Sequence, residues 1–318
     1  MSAEKILDEY TSLVEAELEK FFARKKVLAR DYDARIEQLY EDLRNYVLRK
    51  GKRLMSASVL LTYEGYTGEI DEKALTACVA IELYRHGILV HDDLVDEDVE
   101  RRGGKTFQRV YDEKIALFAG NILNALAFEA LYDLDPQALS SLVRDYLYVN
   151  ESQVLDYLFE KDVPLLSEWE SMASKRAPSV FRATLLTGAI LAKAPGGEIK
   201  LLEEAATHIG FAFDIQDDLI GLYNQENNDV DREKKPLHIV YAYQLMGDGF
   251  DTIFKSRDVG AIKAAVRDSG ALEATKRASR EHAIKAISLI ERTSMNDKTK
   301  KFYSDFINFI IESLDWYK

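Results

Sequence analysis

The sequence predicts an all-α protein built as one large helical bundle, and three observations lead there. Apolar residues recur three and four positions apart along stretches of roughly 10 to 30 residues, and no run alternates as a strand would for more than a few residues. Only 5 prolines and 16 glycines punctuate 318 residues, too few for a sandwich or barrel that turns every dozen or so residues. No Pro/Gly/Ser-rich linker divides the chain and no long period repeats, so residues 1–318 read as a single domain and not as a solenoid.

The elements follow from the punctuation. The N-terminal stretch is charged and amphipathic and lacks the apolar centre of a signal peptide. Breaks fall at 31–34, 65–71, 103–105, 133–136, 161–164, 194–197, 224–236, 247–249, 256–260 and 293–297, with helical patterns between them. Gly51-Lys52-Arg53 opens an apolar helix, and the next helix runs out into an acidic segment at 91–104. Residues 115–128 and 181–192 are apolar nearly all round and are expected at the bundle centre, covered on every side. A central layer of that kind leaves a cleft between helices where a ligand can lie. The 115–128 stretch, interrupted by Asn121 and Asn124, falls short of the roughly 20 residues that cross a bilayer, so no transmembrane segment is expected.

Charge and cysteine content narrow the function. Lys+Arg 42 against Asp+Glu 55 leaves a net charge of −13, which argues against gripping nucleic acid along a general basic surface. The one cysteine, Cys78, excludes a disulfide framework and a Cys-based zinc site, in keeping with a reducing, cytoplasmic compartment.

Two acidic clusters carry the chemistry. In HDDLVDEDVERRGG, Asp92 and Asp96 are four apart, share one helix face and can chelate one cation. Acids near a helix C-terminus oppose the macrodipole and repel each other, so a bound cation explains them better than solvent does. In GFAFDIQDDLIGLY, Asp214, Asp217 and Asp218 form one stripe on a helix that is otherwise Phe, Ile and Leu. Burying that stripe is costly unless a cation neutralises it. Together they indicate an all-oxygen site for magnesium, completed by water and phosphate oxygens. The basic pairs Lys52-Arg53, Arg101-Arg102, Lys175-Arg176 and Lys234-Lys235 supply the complement for a diphosphate.

At these residues the chain resembles the trans-isoprenyl diphosphate synthases, the polyprenyl synthetase family, in its geranylgeranyl or geranylfarnesyl diphosphate synthase form. Asp92-Asp93-Leu94-Val95-Asp96 matches the first DDxxD motif, and the run from Arg101 to Thr106 matches RRGxxT. Gly51-Lys52-Arg53 matches GKR, the run from Gln153 to Asp156 matches QxxD, and the run from Phe213 to Asp218 matches FQxxDD. The resemblance implies an isoprenoid-synthase-type bundle and a prenyltransferase that joins isopentenyl diphosphate to an allylic diphosphate. Asp92, Asp96 and Asp217 would hold Mg2+, three ions together with the substrate diphosphate. Asp93, Asp156, Asp214 and Asp218 would stand around those ligands. Arg101, Lys175 and Lys234 would grip the allylic diphosphate, with Lys175 beside the reacting centre; Lys52, Arg53 and Arg102 would serve isopentenyl diphosphate. Released diphosphate would take the proton, which leaves His91 a structural hydrogen-bonder. The growing tail would run down the helix of the first motif past Gly87 and Ile88 and stop at Tyr84, about 12 Å of helix from Asp92, giving a C20 to C25 product. The family expectation is a homodimer, with a heteromer as the variant.

Several positions depart from the family pattern. Gly221 stands where the second motif has its last Asp, Asp214 stands at the usual Gln position, and Met55 replaces the second Arg of GKRxR. Arg85, at helical spacing with Glu82, Leu89, Asp92 and Asp96, is expected to restore the charge lost at Met55. Arg176 stands where Thr is usual, and its side chain is expected to point away from the developing carbocation. The competing readings are a non-catalytic subunit that needs an active homologous partner and a terpene cyclase. Lys52, Arg53 and Arg101-Arg102 argue against the cyclase, which needs no isopentenyl site.

Overall fold

The structure, a computed structural model, describes residues 3–223 and 229–318 and is all-α apart from one two-stranded hairpin. The helices are α1 (Ala3–Tyr32), α2 (Ala34–Val47), α3 (Leu54–Thr67), α4 (Glu72–Val95), α5 (Phe107–Val110), α6 (Glu113–Tyr132) and α7 (Pro136–Phe159). They continue as α8 (Leu166–Ala173), α9 (Ala177–Leu191), α10 (Gly196–Tyr223) and α11 (Leu237–Met246). The last four are α12 (Asp248–Lys255), α13 (Val259–Asp268), α14 (Ala271–Glu291) and α15 (Asp297–Ser313), followed by a 3₁₀ turn. Strands β1 (Glu100–Arg101) and β2 (Gly104–Lys105) pair antiparallel between α4 and α5. The chain gathers into two compact units: Met1–Val143 with Ala183–Pro195 and Ser294–Thr299, and Arg144–Arg182 with Gly196–Thr293 and Lys300–Lys318.

In the first unit, side-chain caps start α2, α4 and α6. Asp33, Asp71 and Asp112 accept the N–H of Arg35, Ala74 and Ile115 at 2.8, 3.0 and 2.8 Å, satisfying donors that an α-helix leaves orphaned at its first turn. Helices α4 and α6 pack together along small residues. A Cβ on Gly120 would lie 2.3 Å from His91 Nε2, and one on Gly87 2.6 Å from the Asn124 amide. Each glycine therefore makes room for a side chain of the facing helix.

Helix α6 departs from expectation twice. It runs past Phe128 to Tyr132 and is, by length and composition, apolar enough to cross a membrane. It buries Ala116, Ala119, Gly120, Leu123, Asn124 and Ala127, and the Asn124 side-chain amide donates back to the Gly120 carbonyl at 2.9 Å, which lets an amide sit in a buried helix face. Nor is it covered on every side, since Leu117 and Phe118 remain 46% and 58% exposed.

In the second unit, α10 and α14 pack together, with Ser279 donating to the Ala212 carbonyl at 3.1 Å. A Cβ at Gly210 would lie 2.4 Å from Pro178 Cα, so the start of α9 rests against the backbone of α10. Leu219, Leu222, Ile239, Phe250, Phe254 and Leu272 form one core cluster; Trp169, Met172, Ile215 and Val240 belong to another.

Besides the short gap at 111–112 between α5 and α6, three breaks lie outside those the punctuation marked. The chain leaves the helix at 48–53, at 174–176 and at 269–270. At the first, Arg53 adopts a left-handed φ of 48° as its guanidinium bonds the carbonyls of Val47 and Arg49. At the third, Gly270 takes φ 85° without a Cβ penalty. The break foreseen at 224–236 lies partly outside the described residues.

Candidate active site

Helix α4 presents the first acidic motif. It is buried from Ala77 to Val90 except at Arg85, Ile88 and Leu89, and Asp92 and Asp96 continue that partly open stripe at helical spacing. Asp96 is the C-cap, its N–H bonded to the Asp92 carbonyl at 2.8 Å, so both carboxylates sit where the helix dipole is negative. Tyr84 is fully buried, and the space beside Gly87 is filled by Asn124 of α6.

Asp93 faces the other way. It is fully buried, accepts from Tyr46 Oη at 2.8 Å and bonds the Arg101 guanidinium, while burial raises its carboxyl above the usual range. Arg101 also reaches Asp98 at 3.3 Å and Asp92 at 3.7 Å. The hairpin between β1 and β2 turns at Arg102 and Gly103, both with positive φ (50° and 74°), as a tight two-residue turn requires. Arg49 clamps it, donating to the carbonyls of Arg101, Gly104 and Lys105 at 3.2, 3.3 and 2.7 Å and lying over the Tyr46 ring. A Cβ at Gly104 would come within 2.8 Å of that guanidinium, so the clamp requires glycine there. Gln108 Nε2 ties the Asp93 and Asp98 carbonyls at 2.6 and 2.9 Å.

Arg102 is aimed by a buried chain of polar groups. Arg102 Nη1 donates to His86 Nε2 at 3.2 Å, which leaves the imidazole proton on Nδ1 to bond the Glu82 carbonyl at 2.7 Å. Burial lowers the His86 pKa to about 3, so the ring is neutral at physiological pH. Glu82 in turn binds Arg53 at 3.2 Å and Ser56 at 2.7 Å. Arg53, expected to touch substrate, is instead fully buried, with its fork spent on Glu82, Glu15 and two backbone carbonyls. Gly51 leaves room for Arg102, whose Nη1 would be 3.0 Å from a Cβ there. Met55 is buried beside Thr184, and the charge of Arg85 bears on Arg102: burial first, then Arg85, lowers the Arg102 pKa. Lys52 is exposed, and His91 Nε2 lies 3.2 Å from the Leu117 carbonyl, a hydrogen bond to backbone.

The second unit carries the other motif. Lys175 and Arg176 lie between α8 and α9; Lys175 Nζ is 2.6 Å from Glu151 and lies over the Tyr148 ring. Because α9 starts against Gly210, Arg176 falls beside the next two turns of α10. Its guanidinium is 2.9 Å from Asp214, 2.8 Å from Asp218 and 3.2 Å from Asp156. Burial raises the carboxyl pKa of Asp214 to about 6 against the pull of Arg176, and burial raises that of Asp218 as well. Asp217 is the exposed acid of the stripe. Lys234 stands 3.8 Å from Asp229, whereas its neighbour Lys235 is buried over Phe254. Sequence reasoning passed over Arg49, Tyr46 and His86; only the nearness of Arg49 to Gly51 hinted at it.

Among the described residues no three His, Cys, Asp or Glu side chains form a ready metal cage. The donors of the two motifs are hard carboxylate oxygens, and magnesium takes one or two of these with water and substrate phosphates, so the donor set fits that ion.

Residues 37–267 match the model of a family described as polyprenyl synthetase. The chain is 31% identical over 224 residues to a short chain isoprenyl diphosphate synthase of Methanocaldococcus jannaschii, covering 67% of this chain and 68% of that one. It is 29% identical over 288 residues to a geranylfarnesyl diphosphate synthase of Aeropyrum pernix, covering 82% and 90%. A geranylgeranyl pyrophosphate synthase from Corynebacterium glutamicum, solved with isoprenyl diphosphate and magnesium, superposes with a TM-score of 0.86 over 98% of this chain and 100% of that one, at 20% identity.

Proposed function

The chain belongs to the polyprenyl synthetase family, and from that premise we propose that it is a trans-prenyltransferase joining isopentenyl diphosphate to an allylic diphosphate. The observation that carries the reading is the open stripe of α4, which ends in Asp92 and Asp96 beside a hairpin clamped to present Arg101 and Arg102.

Asp92 and Asp96 on one motif and Asp217 on the other would hold magnesium, with three ions as the family complement. Magnesium supplies Lewis acidity that draws electrons into the leaving diphosphate. Arg101, braced by Asp93 and Asp98, grips that diphosphate together with Lys175 and Lys234. Arg102 and Arg85, with Lys52, hold the diphosphate of isopentenyl diphosphate, and Arg53 braces Glu82 beneath them. Fixed positive donors aimed at developing negative charge need no reorganisation during reaction, which is where such sites gain most of their rate. The isopentenyl double bond attacks the allylic carbon, and the released diphosphate removes the proton. Neutral His86 and backbone-bonded His91 are not required as bases.

The partly open Ile88, one turn before Asp92 and one turn after Tyr84, supports a tail running along α4 and a C20 to C25 product with Tyr84 at its floor. The exposed Leu117 and Phe118 support a homodimer formed on α6, and the single cysteine suits a reducing, cytoplasmic compartment. The test is incubation with labelled isopentenyl diphosphate, magnesium and allylic primers of increasing length, followed by product sizing. Elongated products support the assignment, and no condensation with any primer sinks it.

A further inference from the structure

The turn at 229–236 carries two adjacent lysines with opposite fates. Lys235 is only 5% exposed, a costly place for an ammonium unless its donors are met. It donates to the Glu160 carbonyl at 3.2 Å, just past the end of α7, and to the Glu233 carbonyl. Its third donor side lies over the Phe254 ring, 4.8 Å from the centroid. A cation is also favoured where a helix C-terminus leaves carbonyls unpaired. Arg232 reaches the same corner, 3.0 Å from the Glu160 carboxylate. The chain is thus fastened to Glu160 on both sides of Lys234. Between the two fastenings Glu233 takes a left-handed φ of 59°, which a residue with a Cβ keeps only where its surroundings over-determine it. The Lys234 N–H closes the turn on the Asp229 carbonyl at 3.0 Å, and Asp229 and Lys234 share the walls of a cavity of about 10 Å³ with Asp218 of the second acidic motif. A further link, Glu233 to Arg257 at 3.1 Å, joins side chains 34% and 52% exposed, and an ion pair so open to solvent holds little.

We propose that Lys235 is a positioning residue of the allylic diphosphate site: with Arg232 it fastens the turn to the end of α7, so that Lys234 stays beside the second acidic motif. The inference rests on the prenyltransferase reading and on Lys234 as a diphosphate ligand. Lysine is a point charge on a flexible four-carbon stem, so its aim depends on a fixed backbone. A loose turn would have to be ordered each time the diphosphate binds, and that cost would be subtracted from affinity. The pair Lys234-Lys235 therefore divides its work: one charge faces the ligand, and the other is spent inside the protein to hold the first in place.

The test separates the two substrates. Lys235→Met keeps the apolar stem and removes every donor. Its KM for the allylic diphosphate should rise by about tenfold, the loss of roughly one charge-assisted hydrogen bond, while the KM for isopentenyl diphosphate stays near the parent value. Calorimetry of the purified full-length chain with inorganic diphosphate and Mg2+ should show a comparable loss of affinity. Arg257→Gln, which cuts only the exposed pair, should leave both KM values near those of the parent. An equal rise in both KM values for Lys235→Met overturns the inference, as does an allylic KM that does not move or an Arg257→Gln variant as impaired as Lys235→Met. Should Lys235→Met fail to fold, Arg232→Gln cuts the other fastening at a partly exposed site; it should raise the allylic KM alone, and no change there overturns the inference. If the parent condenses isopentenyl diphosphate and Lys235→Met matches it in both KM values, only the positioning role falls. If the parent condenses with no primer, the prenyltransferase reading falls, and the affinity for inorganic diphosphate decides the role of Lys235 by itself.

Discussion

Arg49 donates to three carbonyls of the hairpin turn and stacks on Tyr46, a geometry that only a planar fork can satisfy. Arg49→Lys keeps the charge and loses the clamp, so the KM for isopentenyl diphosphate should rise by about tenfold, the loss of roughly one charge-assisted hydrogen bond. An unchanged KM would show that the turn holds without it. Arg85→Ala should raise the KM for isopentenyl diphosphate far more than that for the allylic partner; equal effects would refute Arg85 as the replacement for the charge missing at Met55. At Arg176 the energetics are those of a buried ion cluster. Arg176→Ala leaves three carboxylates without their guanidinium and should cost on the order of 3–5 kcal/mol in urea unfolding, more than the double change Arg176→Thr/Asp214→Gln.

Helix α4 delivers the first motif, and α6 sets how α4 lies, because each helix has a glycine where a side chain of the other is seated. Gly120→Ala would place a methyl group 2.3 Å from the His91 ring. Overpacking of this kind costs about 1–3 kcal/mol. Since His91 immediately precedes Asp92, kcat should fall along with Tm; a lowered Tm with unaltered kcat would separate packing from catalysis. The same contact bears on product length. Asn124 fills the space beside Gly87, so Ile88 and Leu89 are the partly open apolar positions along α4. Tyr84→Ala should lengthen the products, and an unchanged product spectrum would eliminate Tyr84 as the floor.

Acid stability is a property of the whole molecule and turns on its buried imidazoles. His238 is fully buried, and burial alone lowers its pKa to about 3. A folded-state pKa below the unfolded value near 6.5 means the unfolded chain takes the proton first. The stability is present above pH 6.5 and is lost as pH falls toward 3, at about 1.4 kcal/mol per pH unit for one such group. His238→Phe should flatten the slope of unfolding free energy against pH between 6.5 and 4 by up to that amount; an unchanged slope would mean that His238 is already protonated or solvated. Assembly is tested on the exposed face of α6. If the chain forms the proposed dimer, Leu117→Glu with Phe118→Glu should convert it to a monomer in sedimentation, and a dimer that survives would place the interface elsewhere.

The sequence by itself determined the helical class, most helix ends, and the two acidic motifs with their arginine and lysine complements. These depend on periodicities and spacings of a few residues, which local backbone geometry converts directly into shared faces. Tertiary structure alone decided which charges meet. Arg176 finds Asp214, Asp218 and Asp156 because Gly210 lets α9 close onto α10; Arg53 turns inward because its fork satisfies carbonyls and carboxylates from other segments; α6 keeps one apolar face bare. Motif position says that a charge is present. Whether that charge reaches a substrate or is neutralised within the protein depends on partners brought from far along the chain, whose pairing repays the cost of taking them out of water.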